Sequence, residues 1–217
     1  GVHAVWDSEN SLVIKHQSYK SVPFTVESDW SAASYWYQMV ALSEKAEIEL
    51  LGLFPKSYQG DSRGAEVFKK LGVETIFTDK GVLLKKNNQR VDKLEEDFID
   101  IPDLAQTFVV TCAILNIPFH FTGLQTLKIK ETDRIAALIA EMAKLGYAIR
   151  EENDSELIWE GERIDPQDTP VIKTYEDHRM AMAFAPAAIV HPQLLIAEPH
   201  VVSKSYPGYW EDLERVG

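Results

Sequence analysis

The chain has 217 residues, 45% hydrophobic and 26% charged, and 34 acidic against 22 basic side chains leave a net charge of −12. That composition suits one good-sized globular domain, or one domain and a further piece. The acidic balance excludes a nucleic-acid binder, which needs a basic face to meet phosphates, but it leaves room for a small anionic ligand, because a local group of Lys and Arg sets the field within a screening length of about 10 Å.

In chain order, Gly1-Val2 resembles the later pair Gly72-Val73, a helix-ending glycine followed by a strand. Residues 2–28 therefore read as the tail of an earlier unit, with a strand over Phe24 to Glu27. Asp29 precedes a small and aromatic run and stands where a helix N-cap belongs. A short strand is predicted around Ala46 to Leu50, and Gly72 ends a second helix as its left-handed residue. Strands follow at Val73 to Phe77 and Gly81 to Lys85, and a third at Phe98 to Ile101. Asp103, after Pro102, reads as the cap of an apolar helix over Leu104 to Leu115. The only cysteine, Cys112, lies in that run. It forms no intrachain disulfide, reads as a buried inert thiol, and suits a reducing, cytoplasmic setting.

A strand at Phe119 to Phe121 leads to an amphipathic helix over Glu131 to Gly146. Its Ile135, Leu138, Ile139, Met142 and Leu145 share one face, with Glu141 and Lys144 outside it. Tyr147 to Glu151, Glu156 to Trp159 and Val171 to Tyr175 read as strands. Asp177 caps a small-residue helix that Pro186 should interrupt. A last helix spans Tyr209 to Arg215. No apolar stretch reaches membrane-spanning length, and the first residues are not a signal peptide.

These elements repeat. Asp29, Asp103 and Asp177 recur every 74 residues, and Gly72 and Gly146 keep the same spacing. The predicted unit is strand, helix, strand, helix, strand, strand, an α/β (α+β) arrangement whose first helix is apolar enough to be buried.

Three segments carry charge in a pattern that suggests chemistry. In Lys130-Glu131-Thr132-Asp133-Arg134 two cations four apart should share one face of a helix's first turn, a place where cations are disfavoured unless an anion binds. A solvated charged turn is the competing reading. Asp177-His178-Arg179 opens an apolar helix, where His and Arg need an anionic partner; a cap, a satisfied His and a surface Arg is the plainer alternative. Lys204-Ser205-Tyr206-Pro207 places a cation before the last helix.

Together these motifs resemble the EPSP synthase family, which carries Lys-Glu-Ser/Thr-Asp-Arg, Asp-His-Arg-Met-Ala-Met and Lys-Ser/Thr-Phe/Tyr-Pro in this order. Pro102-Asp103, Gly60-Asp61-Ser62-Arg63 and Asp29-Trp30-Ser31-Ala32-Ala33-Ser34-Tyr35 also resemble family segments, so the likeness covers essentially the whole chain. It implies an inside-out barrel of βαβαββ units around a pseudo-threefold axis with buried helices. Residues 1–28 would be a remnant of an upper domain. Residues 29–217 would be the lower domain, incomplete without strands from the family's N-terminus.

The resemblance also implies a reaction: enolpyruvyl transfer from phosphoenolpyruvate to the 5-hydroxyl of shikimate 3-phosphate, in the shikimate pathway, with no metal and no cofactor. By motif, Asp103 is the base candidate and touches the shikimate ring, and Glu131 is the acid at the methylene carbon. Arg134, Arg179 and Lys204 would hold phosphoenolpyruvate, and Lys130 would meet shikimate 3-phosphate. Thr126, where the family often has Asn, would also meet shikimate 3-phosphate, and His178 would support the site from its edge. The partners implied are these two small molecules and the missing half of the same protein, with no nucleic acid and no membrane. The other substrate contacts belong to the family's upper domain, so this polypeptide alone should have little or no transferase activity. Two alternatives remain at this point: the sister transferase acting on UDP-N-acetylglucosamine, and a non-catalytic repeat-built binding module.

Overall fold

The α-helices α1 (Trp30–Leu42) and α3 (Ala105–Ile114) contain no charged residue at all. A helix apolar on every side must be surrounded. In the computed structural model, which describes residues 1–216, both helices and α5 (His178–Phe184) are buried and pack against one another. Polar side chains among them find partners inside. Gln38 Nε2 donates to the Ala183 carbonyl (3.0 Å), and the Ser34 and Thr107 hydroxyls lie 3.3 Å apart. Cys112 is fully buried in α3, and burial pushes its thiol pKa up, as an inert thiol requires.

Around these helices lie short sheets. β1 (Val5–Ser8) and β2 (Ser11–Val13) form an antiparallel hairpin. β3 (Glu47–Leu51), β4 (Val73–Phe77) and β5 (Gly81–Lys86) form an antiparallel sheet in the order β3-β5-β4, with α2 (Gly64–Lys69) between β3 and β4 in sequence. β6 (Leu94–Asp97) and β7 (Phe119–Thr122) are parallel. β9 (Glu156–Trp159) joins β7 antiparallel, and β8 (Arg150–Glu152) lies at the edge. With α3 and α4 (Arg134–Lys144), this sheet completes one βαβαββ unit. Alternation along β7 is visible: Phe119 and Phe121 are buried and stack with ring centroids 4.5 Å apart, while His120 and Thr122 are half-buried. β10 (Val171–Ile172) and β11 (Leu195–Ile196) pair in parallel and flank α5, and α6 (Tyr209–Val216) closes the chain.

Local signals hold at several points. Asp29 accepts from the Ser31 and Ala32 amides, and Asp177 from the Arg179 amide, so both are side-chain N-caps. Gly72 (φ 87°) and Gly146 (φ 90°) adopt the left-handed conformation. A Cβ on Gly72 would stand 2.7 Å from the Asn87 carbonyl, so both the backbone angle and the space require glycine. At Pro186 the α5 helix has already given way to a 3-10 turn, Ala185–Ile189, as a missing amide requires.

Other expectations are corrected. Asp103 does not cap α3: Leu104 holds the cap position, and Asp103 sits in a 3-10 turn with its side chain turned to cations. The Phe24–Glu27 segment forms no strand, and Val26 is 82% exposed. β6 ends at Asp97 because Phe98 and Ile101 turn into the core and close a turn on each other (3.0 Å). β10 stops at Ile172 because the Lys173 amide leaves the sheet for a side chain, that of Glu141 (3.0 Å). Tyr147 makes only a lone bridge to Arg163, and its strand starts at Arg150. Glu141, placed outside the apolar face by periodicity, is fully buried.

Candidate active site

The three buried helices present their N-terminal ends near one another, and four cations converge there with three carboxylates. The helix from Glu131 expected from the sequence begins only at Arg134, capped by Asp133, which accepts from the Ala136 amide (3.0 Å). Lys130 and Glu131 lie in the preceding bend, so Lys130 and Arg134 do not share a helical turn. They converge instead on one acceptor, Asp103.

Arg134 is the hub. It is 1% exposed, and each of its three nitrogens is engaged: Nε donates to Asp177 Oδ2 (2.6 Å), Nη1 to Asp103 Oδ1 (2.9 Å) and Nη2 to Glu131 Oε2 (2.9 Å). The rigid planar geometry of guanidinium lets one side chain hold three acids at once. Asp103 gathers three cations: Arg134, Arg179 Nη2 (3.1 Å) and Lys130 Nζ (3.3 Å). Burial works against its charge, but Arg179, Arg134 and Lys130 outweigh it and hold its pKa below the usual carboxylate range.

Glu131 also pairs with Lys204, which reaches it from the end of the 3-10 turn Pro199–Lys204. The Lys204 hydrogen bond is the main reason the Glu131 pKa falls to about 2. His178, mostly buried, keeps Nδ1 3.9 Å from Asp177 Oδ1. Burial first and Arg179 second push its pKa down, favouring the neutral ring. Lys130, Arg179 and Lys204 retain access to solvent, with side chains 33%, 14% and 55% exposed. Thr126 lies on the 3-10 turn Gln125–Ile129 leading to Lys130, and its hydroxyl is buried without a partner.

Sequence reasoning missed two acids. Asp61, in the 3-10 turn Gly60–Arg63, accepts the Ser31 hydroxyl. Burial raises its pKa, opposed by the nearby Arg179 charge. Glu141, fully buried on α4, is the other. The Gly60-Asp61-Ser62-Arg63 resemblance was the only signal for Asp61, and no spacing tied it to Arg179. Arg63 of the same segment turns away to Glu96. Tyr35, on α1, buries its phenol beside Arg179, and burial pushes its pKa up to about 12. A cavity of about 890 Å³ bounded by Trp30, Glu66 and Gln89 shares no residue with the cluster. Among the described residues no group of three His, Cys, Asp or Glu side chains is arranged to hold a metal ion, and no helix is long and apolar enough to cross a membrane.

Buried helices inside short sheets, with a cluster of cations and carboxylates where the helices begin, define an α/β repeat domain. The chain belongs to the EPSP synthase (3-phosphoshikimate 1-carboxyvinyltransferase) family, whose match runs over residues 3–213. It is 67% identical over 217 residues to the 3-phosphoshikimate 1-carboxyvinyltransferase of Bacteroides fragilis strain YCH46, covering 100% of this chain and 53% of that protein. It is 32% identical over 212 residues to the protein of that name from Methanospirillum hungatei JF-1, covering 97% of this chain and 48% of the other. The fold is similar to that of EPSP synthase from Acinetobacter baumannii, with a TM-score of 0.76 at 19% identity, over 100% of this chain and 52% of that one. The chain thus spans about half the length of the curated relatives it matches.

Proposed function

We propose that this chain supplies the cationic side of a site joining phosphoenolpyruvate to the 5-hydroxyl of shikimate 3-phosphate, with loss of phosphate. The observation that carries the reading is the convergence of Lys130, Arg134, Arg179 and Lys204 on Asp103 and Glu131. In this reading residues 29–217 form the lower domain, residues 1–28 belong to the upper one, and the protein acts in the cytoplasm.

Phosphoenolpyruvate competes with the protein's own carboxylates for cations. Lys204 leaves Glu131 for the ligand, and the Arg134 and Arg179 nitrogens now spent on Glu131 and Asp103 turn toward its oxyanions. Lys130, with Thr126 beside it, turns to shikimate 3-phosphate. Each exchange strips a cation from a carboxylate and raises its proton affinity. Asp103 then accepts the 5-hydroxyl proton as the oxygen bonds to C2 of phosphoenolpyruvate, and protonated Glu131 delivers its proton to C3, making a methyl group. In the second half the C2–O bond to the phosphate breaks, the departing phosphate carries off the proton held by Asp103, Glu131 takes a proton back from the methyl carbon, and the methylene reforms. His178 buttresses Asp177 from the site's edge.

Calorimetric titration of phosphoenolpyruvate into the chain tests the reading. Binding should weaken about tenfold or more in Lys204→Ala and in Arg179→Ala, as loss of a charge-assisted hydrogen bond predicts. Equal affinity in all three proteins would remove the cluster from the ligand site.

A further inference from the structure

Tyr175 (φ 55°) and Glu176 (φ 58°) are consecutive non-glycine residues in the left-handed region, immediately before Asp177. Such residues cost free energy and persist only where the surroundings over-determine them. What holds this bend is a buried carboxylate with no part in the chemistry above. Glu141 is fully buried; its Oε1 accepts the Tyr175 hydroxyl (2.8 Å), and its Oε2 accepts the Lys173 amide (3.0 Å) and Lys144 Nζ (2.5 Å). Lys144 Nζ in turn donates to the Val171 carbonyl (2.8 Å), tying down the strand before the bend.

Glu141 and Arg134 lie on the same helix, two turns apart, about 10.5 Å along its axis. Arg134 grips Asp177 and Glu141 grips Tyr175. The segment bearing Asp177, His178 and Arg179 is therefore held at two points against one rigid rod. A third left-handed residue, Glu198 (φ 43°), accepts the hydroxyl of buried Thr174 (3.0 Å) and opens the turn that ends at Lys204.

We propose that Glu141 is a positioning residue: through Tyr175 and Lys173 it holds the left-handed bend and so fixes where Asp177, His178 and Arg179 stand relative to Arg134. What those positioned groups do rests on the function proposed above; that Glu141 positions them does not. Its carboxylate needs all three donors, because a buried charge with fewer partners is expensive. Removing the Tyr175 hydroxyl frees the bend while leaving Lys144 and Lys173 in place.

The test compares the wild-type chain with Tyr175→Phe, Glu141→Gln and Glu141→Ala by residue-resolved amide hydrogen exchange, thermal melting and phosphoenolpyruvate titration. The Asp177 and Arg179 amides are bonded to the Thr174 carbonyl (2.9 Å) and Asp177 Oδ1 (2.8 Å). In Tyr175→Phe and Glu141→Ala they should exchange about tenfold faster, and phosphoenolpyruvate should bind about tenfold more weakly. Amides within α3 should keep their protection, and Glu141→Gln, which still offers an acceptor to Tyr175, should recover part of both effects. A lower melting temperature with unchanged local exchange and unchanged affinity, or a loss of protection spread evenly over the molecule, overturns the proposal. Should Glu141→Ala fail to fold, Tyr175→Phe decides alone. If the wild-type chain binds no phosphoenolpyruvate, the function proposed above falls, while the exchange measurements still decide the role of Glu141.

Discussion

Arg134 Nε and Asp177 Oδ2 are 2.6 Å apart, and both side chains are closed to solvent. One carboxylate thereby caps α5 and neutralises the guanidinium at the start of α4, so two repeat units share a single charge pair. Removing Arg134 should leave Asp177 as an uncompensated buried charge, whereas Arg134 without Asp177 keeps Asp103 and Glu131 as partners. Arg134→Met should lose about 3–5 kcal/mol of unfolding free energy. Asp177→Asn keeps a capping oxygen and should lose less, and the two losses should fall short of additive in the double variant. Urea denaturation followed by circular dichroism measures all three.

Lys204→Ala should raise the Glu131 pKa from about 2 toward its ordinary 4.5, because the Lys204 hydrogen bond is the largest cause of the depression. Carboxyl-carbon NMR titration reads this directly. The sign for stability follows. A depressed carboxylate stabilises the folded state above its unfolded pKa and ceases to do so as pH falls through its folded pKa. Glu131 should therefore stabilise the wild type above about pH 4.5 and lose that effect between 4.5 and about 2. In Lys204→Ala that part of the acid dependence should shrink.

Asp103→Asn should separate binding from chemistry. It removes the negative charge and one of the two acceptor oxygens facing Arg134, Arg179 and Lys130 with little change in side-chain size. Freed of that competition, the cations should bind inorganic phosphate or phosphoenolpyruvate several-fold more tightly, by about 1 kcal/mol, as expected for one competing charged hydrogen bond. Weaker anion binding in Asp103→Asn would mean that Asp103 organises the cations rather than competing for them.

The 217-residue chain supplied with phosphoenolpyruvate and shikimate 3-phosphate should release phosphate at little more than the uncatalysed rate. Lys130 and Lys204 stand 33% and 55% exposed, so the cluster is open to water, and charge stabilisation is weakest where water can compete. A colorimetric phosphate assay decides it, and sustained turnover would show that these residues form a sufficient site by themselves.

Gly72→Ala should cost about 1 kcal/mol or more, since it adds a Cβ at positive φ 2.7 Å from a carbonyl oxygen. Gly146→Ala, whose nearest contact is 3.1 Å, should cost less. Chemical denaturation of the pair tests whether the two helix ends are equivalent in energy as well as in sequence.

The sequence by itself determined what depends on a few neighbouring residues. Asp29 and Asp177 cap their helices, Gly72 and Gly146 end theirs, Pro186 stops α5, and charge-free helices are buried, because each outcome is set by backbone groups within one turn or by the surface the helix itself presents. The resemblance named the cluster's members. Tertiary structure alone decided what each charge does. Asp103 stands in phase with the two caps, yet it serves cations 31 and 76 residues away. Glu141, on the polar side by periodicity, is buried against Tyr175, 34 residues on. The cost of burying a charge is met only by partners the fold brings together, and nothing local in the chain records which those will be.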